Sequence, residues 1–428
     1  MTTINPLLQS ISEDVMGFLN EIQMKYPEAI SLASGRPDEH YFNIGDISGH
    51  VDAFVDFVSR SGGIDKKAVL KSLGQYNRTK GIVNDLVCDF LRKDEKIEAR
   101  PEDILVTVGT QEALVIAVIT LCDREKDVII VENPSYVGIT HFSMITGYRI
   151  ETAGVDEDGI CLEEVERKIL ANAAMGRRVK IVYVIPDFQN PTGAYMCQEK
   201  RRRLLEMAVK YDFYILEDNA YSDYSYHNEE FVPIKALDTD NRVIYMRSFA
   251  KTLYPSLRSA VMVTGQQIEG PWGKSSLSDL MARTKGYLTV NTPAISQAIL
   301  GGILLKNNCS LRHTNYSKIK NMKEKRDLLL FYLEEHLRRG GASWTEKISW
   351  NSPRGGFFMT ISVPFVADKE EVVRCAEQFK VLFTPMSFFY IGEGGRHEIR
   401  IAFSNLSVSD LKTAVERLIR YFESKCST

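Results

Sequence analysis

Between residues 104 and 264 the apolar positions come in short unbroken runs and do not alternate with polar ones. Residues 104–108, 127–131, 180–185, 213–217, 242–246 and 260–264 read as strands, with 148–152 a shorter one. Unbroken runs of this length are expected where a strand is buried on both faces. Amphipathic stretches lie between them, opening at Gly109-Thr-Gln and at Asn133-Pro-Ser-Tyr136 and covering 162–173 and 198–211. Strands alternating with helices predict an α/β architecture: a mainly parallel sheet covered by helices on both faces. Ligands bind such sheets beyond the strand C-termini.

The flanks have a different texture. Residues 12–26 predict a helix, with Ser12 as N-cap and Glu13 and Asp14 in the first turn. An apolar run at 29–33 leads into the turn-rich Ser34-Gly35-Arg36-Pro37-Asp38. Helical patterns cover 49–60 and 82–93. Past Val290, helices are predicted over 293–306 and 310–339, the second long enough to link two domains. Strands within 344–363, broken by Gly355-Gly356, are followed by a helix at 369–379, a strand at 397–402 and a helix at 408–424. This predicts a smaller α+β domain. The expected division is 1–45 as an N-terminal segment serving the small domain and covering the site, 46–308 as the large domain and 309–428 as the small one.

Composition changes this picture little. The chain has 428 residues, 44% apolar and 25% charged, with a formal net charge of −3. That balance gives no reason to expect a nucleic-acid or anionic-membrane partner. No apolar run is long enough to span a bilayer, and the start lacks a basic, apolar leader. The seven cysteines are scattered without a C-x-x-C pair. They read as free thiols in a cytoplasmic protein, with neither a disulfide frame nor a metal site.

The candidate chemistry gathers just after the strands. Arg247-Ser-Phe-Ala-Lys251-Thr-Leu-Tyr-Pro-Ser-Leu-Arg258 keeps one lysine among uncharged neighbours, which disfavours its ammonium, with anion-binding groups close by. Lys251 is either a Schiff-base lysine for pyridoxal phosphate, with Ser248 and Arg258 on the phosphate, or an ordinary loop lysine. Gly109-Thr110-Gln111 opens a helix, where free N–H groups and the helix dipole suit a phosphate; plain N-capping by Thr110 is the alternative. Asn190-Pro-Thr-Gly193 is a rigid turn that either presents the Asn190 amide to a cofactor oxygen or substrate carboxylate, or is structural only. Asp218 ends a strand, where a carboxylate keeps a pyridine nitrogen protonated, or it caps a turn. Tyr221 is placed to hydrogen-bond a ring hydroxyl. Tyr136 stacks on a ring or packs in the core. Arg400, alone in an apolar strand, needs a carboxylate partner, either a substrate's or an internal Asp or Glu. Gly35 suggests close backbone approach, and Arg36 is a substrate contact or a solvent-facing charge.

In order and spacing, these residues resemble the fold type I pyridoxal-phosphate aminotransferases, in the branch of the kynurenine and α-aminoadipate aminotransferases. The resemblance spans nearly the whole chain from Gly35. It implies Lys251 as the Schiff-base lysine, Asp218 as the pyridinium partner, and Tyr221 and Asn190 on the ring hydroxyl. It further implies Gly109, Thr110, Gln111, Ser248 and Arg258 around the phosphate, Tyr136 on the ring, and Arg400 on the substrate carboxylate. Tyr76 matches a tyrosine that a neighbouring subunit contributes to the phosphate, which implies a homodimer with shared sites. Ala250 departs from the small or hydroxyl residue usual before the lysine, and Ser256 and Ala260 replace common glycines. The longer runs 35–42, 75–82, 288–292 and 384–390 are similar to the aminotransferases that make hydroxyphenylglycine-type residues of peptide antibiotics. The aromatic residues Tyr41, Phe42, Phe388, Phe389 and Tyr390 either suit an aromatic substrate or fill a core.

The expected activity is therefore transfer of an amino group between an amino acid, aromatic or arylglycine-like, and a 2-oxo acid. The rival on the same scaffold is a lyase, cyclase or oxidase. A regulator using this domain as a sensor would carry a preceding DNA-binding domain, for which this chain has no room.

Overall fold

The structure, a computed structural model, describes residues 5–9, 15–227, 232–270, 273–339 and 343–426. Its centre is an eight-stranded sheet. The strand order is Ile104–Thr107, Ala260–Val263, Val243–Ser248, Tyr214–Asn219, Arg178–Val184, Asp127–Asn133, Arg149–Asp156 and Gly159–Ile160. The five strands from Val243–Ser248 to Arg149–Asp156 run parallel. Ala260–Val263 is antiparallel to both of its neighbours, because the link from Ser248 through Lys251 to Arg258 holds no crossover helix. Ile104–Thr107 consequently points the same way as the parallel strands.

Alternate residues of each central strand serve opposite cores, which is why the sequence shows runs and not alternation. Leu105, Ile129, Val131, Ile181, Leu216, Ile244 and Met262 face one core. Ile104, Val106, Val128, Ile130, Val182, Ile215 and Val261 face the other. Each such side chain contributes roughly 1.5–3 kcal/mol on burial. On the second face, helix Ala294–Lys306 lies against helix Ile47–Gly62. A Cβ at Gly302 would stand 1.9 Å from the His50 carbonyl oxygen, so only glycine permits this approach.

The smaller sheet is antiparallel, in the order Ser349–Trp350, Phe358–Ser362, Glu398–Ala402, Thr384–Pro385. Helices Arg312–Leu337 and Val408–Cys426 cover it. The N-terminal strand Ile30–Ser31 pairs in parallel with Val381–Leu382, and Ala402 N–H donates to Leu32 O at 2.7 Å. The segment 33–36 is thereby delivered to the sheet boundary.

Helix Gln198–Tyr211 falls where the pattern predicts it. The predicted 82–93 helix runs as Asn84–Phe90 and widens into a π-turn over Leu91–Glu95. The first helix is described from Val15 to Lys25; its expected cap at Ser12, with Glu13 and Asp14, lies outside the described residues. Among the described residues, two α-helices longer than four residues were not anticipated. Lys66–Ser72 is short and lysine-rich, and starts on Asp65, whose carboxylate accepts from Ala68 N–H. Leu277–Leu288 buries Ser278 and Lys285 beside Leu277 and Met281, so its inner face has a weak apolar period. Lys285 finds its counter-ion in Glu112 at 2.9 Å. No helix among the described residues is long and apolar enough to cross a membrane.

Candidate active site

Five co-directional strand ends place the candidate residues on one edge of the large sheet. Lys251 follows Val243–Ser248 and is partly buried. Its Nζ donates to Gly35 O at 2.9 Å and lies 6.0 Å from the centre of the Tyr221 ring. Burial first, and then the charges of Arg400, Arg258 and Arg36, together lower its pKa to about 8. Apolar sequence neighbours thus pointed to the larger cause, whereas the arginines arrive through the fold. The loop is braced from below. Buried Arg247 pairs with Glu95 (2.6 Å) and with Asp223; Thr252 Oγ1 donates to the same Asp223 at 2.6 Å; Tyr224 OH donates to Lys251 O at 2.7 Å.

At the end of Ile104–Thr107, Gly109 takes φ +90° and Thr110 is the first residue of helix Thr110–Leu121. Thr110 is therefore not the cap, and no side chain caps this helix. Arg258, in the left-handed region at φ +45°, donates from Nη2 to Val108 O at 3.0 Å. A Cβ on Gly109 would stand 2.4 Å from that Nη2. The Arg258 guanidinium, the helix N-terminus and buried Ser248 thus meet at a cradle that excludes a side chain. Ser248 Oγ accepts from Ala250 N–H at 3.2 Å. Gln111 donates to Gly138 O at 3.2 Å and accepts from Tyr136 OH at 3.4 Å, which ties the starts of helices Thr110–Leu121 and Val137–Thr146 together.

Asp218, buried at the end of Tyr214–Asn219, accepts at Oδ2 from Tyr183 OH at 2.8 Å, while Oδ1 has no partner. Burial pushes its carboxyl up to about 6, and the Tyr183 hydrogen bond opposes the rise. Tyr221 is buried edge-on against Phe357 and Phe358, each 5.5 Å between ring centres, and burial raises its phenol so that it stays a neutral donor. Asn190, before a cis Pro191, accepts at Oδ1 from Arg400 Nη1 at 2.8 Å, leaving its amide N–H groups as donors.

Arg400 is buried between the Phe358 and Phe389 rings, 4.4 and 4.6 Å from their centres. Its Nη2 donates to Ala33 O at 2.8 Å, and Nε has no partner. No ion pair to it is found among the described residues, so the internal-acid alternative has no support there. Gly35 lies beneath Phe358; a Cβ there would stand 2.6 Å from the ring. Exposed Arg36 donates to Asn20 Oδ1 at 3.2 Å. Tyr76 is not part of this cluster and is 83% exposed.

Sequence reasoning missed Tyr183, which reads as core in a buried strand; its one signal was a phenol needing a partner there. It also missed Phe358, the other wall of the Arg400 slot. The five aromatic residues expected as one cluster fall into two groups. Phe388, Phe389 and Tyr390 pack by Tyr136 and Val137, whereas Tyr41 and Phe42 lie toward Ser317 and Tyr254.

These residues fit pyridoxal phosphate: a cradle for an anion, an amine poised to lose its proton, and a buried carboxylate oxygen without a partner. The fold and the site together define a pyridoxal-phosphate-dependent transferase of fold type I. Residues 70–418 match the family described as aminotransferase class I and II, and the chain belongs to that family. It is 38% identical over 418 residues to the (S)-3,5-dihydroxyphenylglycine transaminase of Amycolatopsis orientalis, covering 98% of this chain and 93% of that one. Among solved structures it is similar to an archaeal alanine:glyoxylate aminotransferase, with 30% identity, a TM-score of 0.83 and coverage of 99% and 98%. It is also similar to the kynurenine aminotransferase of Pyrococcus horikoshii, with 25% identity, a TM-score of 0.81 and coverage of 99% and 97%. Membership of this family, with named transaminases among its relatives, supports transamination as the activity.

Proposed function

We propose that this transaminase acts on aromatic amino acids of the arylglycine type, paired with a 2-oxo acid. The observation that carries the reading is Arg400, a buried cation without an acidic partner among the described residues, walled by Phe358 and Phe389. A carboxylate bound there completes a charge-assisted pair, and the aryl group next to it meets aromatic walls. The similarity to the dihydroxyphenylglycine transaminase supports the same class.

Bound pyridoxal phosphate supplies an electron sink for the pair left when a proton leaves the substrate Cα. The chain's residues do the rest. Arg258, Ser248 and the N–H groups at Thr110 and Gln111 would hold the phosphate. Asp218 would meet the ring nitrogen through Oδ1, Tyr136 would cover the ring, and Tyr221 with the Asn190 amide would donate to the ring hydroxyl. Arg400 and Asn190 seat the carboxylate, which fixes the Cα–H direction. Lys251 Nζ, with its affinity for protons reduced to near neutrality, takes and returns the Cα proton. The amino acid and the 2-oxo acid use the same seat in turn.

The division into a large lobe, 46–308, and a small lobe formed by 309–428 with 1–45 is supported by the pairing of Ile30–Ser31 with Val381–Leu382. A homodimer in which Tyr76 reaches the neighbouring phosphate is supported by large apolar side chains left outside: Tyr76, Tyr287, Val290 and Ile295 are exposed. The Tyr76 segment is tied to that surface by Lys80, which pairs with Asp279 at 2.6 Å.

The test is half-transamination. Purified holoenzyme is mixed with 4-hydroxyphenylglycine, 3,5-dihydroxyphenylglycine, tyrosine, alanine and glutamate, and pyridoxamine phosphate is quantified. Aryl substrates should exceed alanine by at least ~10-fold in kcat/KM, and Arg36→Ala should alter the ratio of aromatic to acidic substrates. Alanine or glutamate turned over as well as the aryl substrates would overturn the reading.

A further inference from the structure

Tyr183 has no role in the chemistry so far described. It lies in the middle of the parallel sheet, in register with Leu216 of the adjacent strand, and has no solvent exposure. A phenol in such a place must find an acceptor, and its acceptor is Asp218 Oδ2 at 2.8 Å. Among the described residues the Asp218 carboxylate receives no other hydrogen bond, and Oδ1 is buried without a partner. The carboxylate is thus clamped by one oxygen and free at the other. Among the described residues, Glu132, Tyr136 and Tyr221 also feel the Asp218 charge. None is a cation that would hold Asp218 ionised.

Resting on the assignment of Asp218 to the ring nitrogen, we propose that Tyr183 is a positioning residue: it aims Asp218 Oδ1 at the cofactor's ring nitrogen and keeps the proton shared by the two on the nitrogen. The logic is a balance of basicities. In a dry site a carboxylate gains affinity for protons by desolvation, so the shared proton tends to move onto Asp218 and the ring loses its charge. A hydrogen bond donated to the ionised carboxylate stabilises that form and reverses the tendency. Burial acts on Asp218 in the first direction and Tyr183 in the second. The phenol itself keeps its proton, being buried beside a carboxylate. A neutral ring is a weaker electron sink, so loss of the clamp slows proton removal from the substrate without touching the carboxylate seat at Arg400.

The experiment uses holoenzyme loaded with pyridoxal phosphate labelled with 15N in the ring and reads the nitrogen's chemical shift, alongside kcat and KM. Tyr183→Phe should move the shift toward unprotonated pyridine and lower kcat by about tenfold, as expected for loss of a hydrogen bond to a charged group, while KM for the amino acid stays within twofold. In an Asp218→Asn background, Tyr183→Phe should add nothing. 4-Aminophenylalanine at position 183, a weaker donor of similar shape, should move the shift the same way by less, and it decides the matter should the Phe variant not fold. If Asp218→Asn moves the nitrogen shift but neither change at 183 does, the inference about Tyr183 is wrong and Asp218 keeps its role. If Asp218→Asn leaves the shift in place, the Asp218 assignment itself is wrong.

Discussion

Replacing Arg400 by leucine separates its two possible natures, substrate anchor and structural ion-pair member, because they predict opposite balances of stability and binding. Burial depresses the guanidinium from 12.5 to about 10, and at about 1.4 kcal/mol per tenfold this is a penalty on the order of 3 kcal/mol carried by the folded protein. Removing the charge relieves that penalty. Against it stand the hydrogen bonds to Asn190 Oδ1 and Ala33 O, both 2.8 Å, whose acceptors lose their donor at about 1–3 kcal/mol each. The terms largely offset, so the unfolding free energy of Arg400→Leu should lie between about 1 kcal/mol above and about 3 kcal/mol below wild type. Breaking a buried salt bridge would cost ~3–5 kcal/mol instead. Substrate binding has no such compensation. Two charge-assisted bonds to a carboxylate, at about 1.5–3 kcal/mol each, translate into a rise of 10²-fold or more in KM for the amino acid and the 2-oxo acid alike. Urea unfolding of the apoprotein and steady-state kinetics measure the two quantities. A loss of ~4 kcal/mol with KM unchanged would show Arg400 to be structural and sink the proposed seat.

Gly109→Ala asks a residue with a Cβ to hold φ +90° and to share space with Arg258 Nη2 at 2.4 Å. Strain of about 1–3 kcal/mol is expected, together with a fall of at least ~10-fold in pyridoxal-phosphate affinity, read by fluorescence titration of the apoprotein; unchanged affinity would count against the cradle. Buried Glu132 has its carboxyl pushed up to about 8 from 4.5 by desolvation. The unfolded chain releases this proton first, so the stabilising contribution is complete below pH 4.5 and is lost as pH rises toward 8, with a slope on the order of 1 kcal/mol per pH unit. Glu132→Gln keeps the neutral form's shape and should flatten the decline of Tm between pH 5 and 8 in calorimetry; an unaltered decline would mean that Glu132 is ionised in the fold.

How much was legible depended on whether a residue's meaning was local. The apolar runs of the large sheet were readable because burial on both faces leaves a mark in the strand itself. Arg400 was readable as an anomaly, a lone cation in the apolar stretch Ile399 to Phe403, and so was Lys251 among uncharged neighbours. What surrounds them was not. The slot around Arg400 is built from Phe358 of one strand and Phe389 of a remote turn, and nothing in either local pattern distinguishes a slot wall from a core aromatic. Helix Leu277–Leu288 escaped for a related reason: its buried Lys285 is neutralised by Glu112, far away in sequence. Tyr183 is the clearest case, since a tyrosine in a strand is ordinary until its hydroxyl is seen on Asp218.

The surroundings of Lys251 join cofactor, substrate and base strength in one electrostatic account. After burial, the groups that lower its proton affinity are Arg400, Arg258 and Arg36. In the proposed assignment Arg258 meets the phosphate and Arg400 the substrate carboxylate. Each of those anions cancels one of the cations bearing on the amine, so each raises the amine's basicity as it binds. The lysine is therefore least basic when the site is empty, where a neutral amine is the nucleophile needed to capture an aldehyde. It becomes more basic as the seat fills, where a proton must be taken from Cα. Arg36 is left without an assigned anion. A distal acidic group on a substrate would cancel the third cation, whereas a phenyl group would not. Acidic and aromatic substrates should thus differ in the pH dependence of kcat, with the acidic limb lying higher for the acidic partner, and Arg36→Ala should bring the two profiles together.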